Sequence, residues 1–271
     1  MSRFALLLAV FALTGAPAFS EEAKPAPAKK ADPLERALAA LDGEFQLKEG
    51  TNVKEVPLLE LLAYLSKQYN LSFVINEEAF KREGITNVRD AKPDVTATQF
   101  DGATVRQFLT TALDAVGATY LHKGGLIEIV PGRHAAAMAK VGAREDESGR
   151  ARLPDPLVTA VFKEKPLNEA VAKVAEMYDL TVIVSPQAAD AKAGFVTARL
   201  LNVPADKALD LLAVQCDLRV VRKGNAYLVT SRDHANELFN EKAERERQKI
   251  ELDKLREAPA KPPAPAERAA P

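Results

Sequence analysis

The chain has 271 residues, with 37 Lys and Arg against 38 Asp and Glu, and a formal charge of −1 gives no electrostatic basis for gripping nucleic acid or an anionic membrane. With 47% apolar residues it can bury a core, and its length admits one large domain or two small ones. One Cys and three His exclude an intramolecular disulfide framework and any Cys-cluster metal site.

Residues 1–20 are predicted to be a signal peptide. Arg3 supplies the positive end, Phe4 to Leu13 is apolar, and Ala16-Pro17-Ala18-Phe19-Ser20 offers small residues to a signal peptidase, with cleavage expected after Ser20. That apolar run is too short for a bilayer core, which takes roughly 20 apolar residues, and no later segment approaches that length. Loss of Arg3 takes the formal charge from −1 to −2. The mature chain is therefore expected to be exported, periplasmic or secreted, without an integral membrane segment.

Residues 21–42 read as an Ala/Pro/Lys-rich linker with room for a short helix. A first compact segment, 43–132, begins with a strand around Glu44 to Lys48 and a helix opened by Pro57, whose Leu58, Leu62, Leu65 and Tyr69 share one face. Strands follow at Leu71 to Ile75 and Val95 to Phe100. A second helix is announced by the Thr104–Gln107 capping box and buries Val105, Phe108, Leu109, Ala112, Leu113 and Val116. Ala118 to His122 and Leu126 to Val130 flank Lys123-Gly124-Gly125 as a hairpin. Residues 133–154 carry no regular apolar spacing and are read as a linker.

The second segment, 155–231, repeats this order. Its strand is Leu157 to Phe162, its helix face Leu167, Val171, Val174 and Tyr178, and its next strands Leu180 to Val184 and Phe195 to Leu201. A helix after Pro204 buries Ala205, Ala208, Leu209, Leu212, Ala213 and Cys216, and a hairpin turns at Lys223-Gly224-Asn225. The offset between copies falls from 109 at Leu58/Leu167 to 100 at Val105/Ala205, which places an insertion of roughly nine residues in the first copy, within Glu77 to Asp94. Residues 232–257 form a charged helix laced by Glu241–Arg245, Glu244–Arg247, Glu246–Lys249, Glu251–Lys254 and Asp253–Arg256. Its apolar residues are too sparse for a heptad seam, so a single helix is preferred over weak self-association. Residues 258–271 are a Pro/Ala-rich tail expected to be disordered.

The fold class expected is α+β: two tandem β-α-β-β-α-β-β modules, each with two helices on small mixed sheets, and a charged C-terminal helix. The Pro-opened helices, the apolar strands, Leu201-Asn-Val-Pro-Ala-Asp-Lys-Ala-Leu-Asp-Leu-Leu and the closing hairpins resemble the short N-terminal domain of secretins and TonB-dependent transducers. That resemblance covers about 165 residues, the second copy more closely than the first, and no secretin pore domain or barrel sequence follows. It implies a non-catalytic periplasmic adaptor, associated with an envelope secretion or transport assembly.

Chemistry-bearing residues do not cluster in the sequence. His122, His134 and His234 have no partner at metal-ligand spacing and are read as solvent-exposed; Cys216 is read as a small buried core residue. Glu77-Glu78 and Glu145-Asp146-Glu147 are assigned to exposed loops. No catalytic motif of the serine-hydrolase, zinc-protease, P-loop or dinucleotide type is present. Tyr69, Phe73, Phe108, Tyr178 and Tyr227 are assigned to cores or strands, leaving no stacking platform for bases or sugars. No catalytic, cofactor-binding or metal site is assigned. The function expected is adhesion to protein partners of the cell envelope through sheet edges or helix faces, the candidate edges being the first strands and the closing strands. A structural spacer and an enzyme with its site between the modules are the alternatives.

Overall fold

The structure, a computed structural model, describes residues 32–46, 53–95, 100, 102–145, 151–188 and 194–257. The expected signal peptide, the tail 258–271 and residues 96–99 of one predicted strand lie outside them. Among the described residues no helix is long and apolar enough to cross a membrane.

The fold is α+β. Helix α1 (Pro33–Leu41) starts at Asp32, whose side chain accepts from the Leu34 amide at 3.0 Å. Its Leu34, Ala37, Leu38 and Leu41 are buried on one face. Residues 21–42 therefore end in a packed helix rather than a free linker. The first module follows with α2 (Leu58–Tyr69), β1 (Ser72–Ile75), α3 (Glu77–Arg82), α4 (Val105–Ala115), β2 (Ala118–Lys123) and β3 (Leu126–Pro131). The second runs through β6 (Leu157–Pro166), α6 (Leu167–Tyr178), β7 (Thr181–Val184), β8 (Phe195–Pro204), α7 (Ala205–Val214), β9 (Leu218–Lys223) and β10 (Ala226–Ser231). Between them lie α5 (Gly132–Ala139), β4 (Arg144–Glu145) and β5 (Ala151–Arg152).

Each module has a three-stranded sheet of the same design. The orders are β1-β3-β2 and β7-β10-β9, with the outer β1 or β7 parallel to the central strand and the hairpin antiparallel. Backbone bonds outside the sheets correspond as well. The Leu58 amide donates to Ala91 and Leu167 to Gly194, Val105 to Gly43 and Ala205 to Pro156, Asn76 to Ile129 and Ser185 to Val229. The closing strands β3 and β10 are thus central, so the expectation that they offer edges is corrected. The edges of these sheets are β1, β2, β7 and β9, because a hairpin strand joined by a parallel neighbour becomes the middle of its sheet; β6, the expected first strand of the second module, pairs only with β8 among the described residues and is an edge.

The first strand is described in full in the second module only. In the second, β6 and β8 pair over ten residues each with two register shifts, and Glu164 and Asn202 take left-handed φ of 49° and 52°. In the first, Leu47, Lys48 and residues 96–99 lie outside the described residues, and among those described Glu44 forms an isolated bridge with Thr104. There Phe45 stacks on Phe108 at 3.8 Å, and Phe100 closes edge-on at 5.0 Å from Phe108. The insertion within Glu77 to Asp94 forms α3 and a turn, and buries Phe80 and Val88 in the first core.

Residues 133–154 do not behave as a linker. Ala135 of α5 is buried with Leu121 and Val130, and Leu153 and Leu157 pack onto that cluster. The segment reads as polar because its apolar contribution is mostly alanine. Helix α8 (Arg232–Glu257), 26 residues long, leaves β10 as α5 leaves β3 and buries Ala235 near its start. At 1.5 Å per residue it is about 39 Å long. Of its anticipated charge pairs, Glu241–Arg245 forms.

Candidate functional site

The junction of the two modules is where the polar residues gather. Arg106 follows Val105 in the first turn of α4 and points away from the first core; it is 2% exposed. Its Nε and Nη2 donate to Asp42 Oδ1 at 3.1 and 2.8 Å, and its Nη1 donates to the hydroxyls of Tyr120 and Tyr178 at 3.4 and 3.3 Å. The guanidinium also lies 5.2 Å from the centre of the Tyr178 ring. One side chain thereby ties the residue after α1, the first sheet and the last turn of α6. Burial alone would lower its pKa, but Tyr120, Tyr178 and Asp42 outweigh that and raise it, so the charge is permanent. Burial pushes the Tyr178 hydroxyl upward, keeping it neutral; it accepts from the Thr159 amide at 2.8 Å.

A second tie lies at Asn202. The bulge that gives it a left-handed φ turns its side chain to β2, where Oδ1 accepts from the His122 amide and Nδ2 donates to the His122 carbonyl, both at 2.8 Å. A side-chain amide here pairs with a strand edge as a peptide group would. The His122 ring, expected at the surface, is 2% exposed because the second module covers it. Both ring nitrogens lack partners, and burial followed by the nearby Arg106 charge lowers its pKa to about 4. It is neutral near pH 7.

Helix α1 fastens the same junction. Asp32 accepts from Arg199 at 2.6 Å, Glu35 pairs with Lys163, and Lys173 stands 3.7 Å from Asp42 Oδ2. Pro33 sits over the first hairpin tip, where a Cβ on Gly125 would stand 2.7 Å from Pro33 Cβ. Asn225 occupies the corresponding place in the second hairpin.

Spaces flank the junction. One of about 480 Å³ is lined by Gln107, Thr111, Tyr120, Leu157 and Tyr178; another of about 660 Å³ by Asp42, Lys165, Glu169 and Lys173; and a third, of about 310 Å³, opens beside α1 at Glu35, Asp42 and Lys163. Arg106 borders the first two, yet it is committed to Asp42, and the His122 ring lines none of the three. Among the described residues no three His, Cys, Asp or Glu gather as metal ligands would.

The second module permutes the same charges. Asp155 stands in the place of Asp42, Asp206 in that of Arg106 and Arg222 in that of His122. Arg222 donates to Asp155 Oδ2 at 2.7 Å, and Tyr227 donates to Oδ1 at 2.8 Å. Burial and that hydrogen bond push the Tyr227 hydroxyl up to about 12.

The other residues singled out in the sequence are scattered. His134 is half-buried on α5, and His234 lies 3.3 Å from Glu237 in the first turn of α8. Cys216 lies in the turn after α7, half-buried and packed against the second core, and burial raises its pKa. Glu77 and Glu78 belong to α3, where Glu77 pairs with Lys81 and Arg89. Glu145 lies on β4 paired with Arg133, while Asp146 and Glu147 are outside the described residues. Arg106, Asp42, Thr159 and Asn202 were not singled out. Their signals were present: a charged residue beside an apolar helix face, reversed in sign at Asp206, and an Asn inside a β-branched run. No protein-family model matches the chain, and no curated protein matches it.

Proposed function

We propose that the chain is an exported, non-catalytic adaptor of the cell envelope, built from two modules similar to the short N-terminal domain of secretins and TonB-dependent transducers, which binds protein partners through open sheet edges. The observation that supports this reading most is the sheet order. It leaves β1, β7 and β9 with one unpaired side each, and Val74 on β1 and Ile183 on β7 hold apolar side chains at 44% and 53% exposure. Such edges accept an added strand. The buried polar network serves to hold the modules in one orientation, so that the edges are presented together.

The test is partner retention by folded proline variants. The Asn76 and Ser185 amides donate to the central strands, so the alternate amides of Ile75 and Val184 face outward. Ile75→Pro and Val184→Pro remove those donors while sparing the ladder. On β9 the register with Tyr227 turns the Arg222 amide outward, so Arg222→Pro is the third variant; loss of a defined partner by at least one of the three, with circular dichroism unchanged, is expected, and retention by all three contradicts the reading. A structural spacer is the second reading, favoured by α8, which is about 39 Å long.

A further inference from the structure

We infer that the β9 edge, centred on Arg222, is the docking edge for an extended acidic segment of a partner protein. This rests on the adaptor reading and names the edge and the partner chemistry within it.

The first module shows what this edge does when occupied. His122 and Arg222 share one register, paired with Ile127 and Tyr227 of the central strands. The His122 amide and carbonyl face out of the sheet and are both taken by Asn202 of the next module. The same register turns the Arg222 amide and carbonyl outward, and among the described residues neither has a hydrogen-bond partner. The neighbouring side chains repeat the contrast. Leu121 is 3% exposed beneath Leu153 and Leu157, whereas its counterpart Val221 is half-buried; His122 is 2% exposed, and Arg222 is exposed. The second module thus carries, uncovered, the edge through which the first is docked.

Charge selects the occupant. On the face of β9 that bears Val221, the flanking residues are Arg219 and Lys223, where β2 has Thr119 and Lys123. Lys123 is neutralised by Glu128 at 2.7 Å, but that place on β10 is Leu228, so Lys223 has no carboxylate partner among the described residues. Arg219 has none either. Val221, Leu228 and Ile183 form a row across the three strands through their register. A segment with an apolar residue flanked two positions to either side by acidic residues matches this surface: its backbone pairs with Arg222, its apolar residue extends the row, and its carboxylates, on the same face of the added strand, meet Arg219 and Lys223.

The experiment uses the full chain, isotope-labelled, with blocked eight-residue peptides that carry valine at position 4, glutamate or lysine at positions 2 and 6, and threonine elsewhere. The glutamate peptide is expected to shift and protect the Val220 and Arg222 amides and to bind at least tenfold more tightly than the lysine peptide. Arg219→Glu with Lys223→Glu should weaken it at least tenfold, and Arg222→Pro should abolish it; if the proline variant unfolds, the charge variant decides. Equal binding of both peptides, or no binding at β9, overturns the inference. Protection confined to β1 or β7 overturns this assignment while leaving the adaptor reading in place. Concentration-dependent protection of the same amides without peptide assigns the edge to a second copy, which also overturns it.

Discussion

Arg106 carries the largest expected single-residue effect. Arg106→Met leaves Asp42, 27% exposed, without its two charge-assisted bonds, and removes the donor shared by Tyr120 and Tyr178. Breaking such a buried pair costs about 3 kcal/mol, to be read from urea unfolding. Arg106→Lys should recover little, because an ammonium cannot reach a carboxylate and two hydroxyls from one fork. His122 predicts a pH dependence. Its pKa is about 4 in the fold against 6.5 when free, so below pH 6.5 the unfolded chain binds the proton the folded chain refuses. Stability should fall between pH 6.5 and 4 by up to about 3 kcal/mol from this residue, and hold that loss below pH 4. His122→Phe should flatten that slope relative to the natural chain in denaturant titrations at pH 4.5 and 7, a difference that cancels the carboxylates both proteins share. An unchanged slope would mean that the ring is hydrated or partnered in solution.

At the scale of elements, the bulge at Asn202 combines two requirements that substitution can separate. Asn202→Ala loses both bonds to His122 and strains a left-handed backbone, costing about 2 to 3 kcal/mol; Asn202→Gly loses the bonds without the strain and should cost about 1 kcal/mol less. Equal losses would show that the φ of 52° relaxes freely. Helix α8 makes the opposite prediction. Ala235 is buried, but Phe239, Ile250 and Leu252 are exposed, so truncation after Asn240 should change unfolding stability by less than about 1 kcal/mol. A larger loss would place the distal helix against the modules. The helices and hairpins were legible in the sequence because each is specified by neighbours in the chain: Leu58, Leu62 and Leu65 by helical spacing, Thr104 and Gln107 by a capping box that both partners complete, Gly124 and Gly224 by their positive φ. Helix α5 was missed because alanine can face core or solvent, and its choice depends on Leu121 and Val130, which arrive from another strand.

For the whole molecule, the junction was hidden for the same reason enlarged. Asp42, Arg106 and Tyr178 are separated by 64 and 72 residues, and no local pattern reports that one guanidinium gathers them. The reading of His122 as a surface residue followed from its hairpin alone, and failed because the neighbouring module supplies the cover. The paired segments nevertheless made the sheets comparable position by position, and from that comparison the uncovered β9 edge emerges. The account's central claim is that this chain works by presenting sheet edges from two fastened modules. The most direct test places a photo-crosslinking residue in turn at Ser72 on β1, Thr181 on β7 and Lys223 on β9, with Thr111 in the junction cleft and Glu244 on α8 as controls, in cells producing the full chain. The account predicts protein adducts at the edge positions and none at Thr111; adducts confined to Thr111 or Glu244, with all three edges silent, would contradict it.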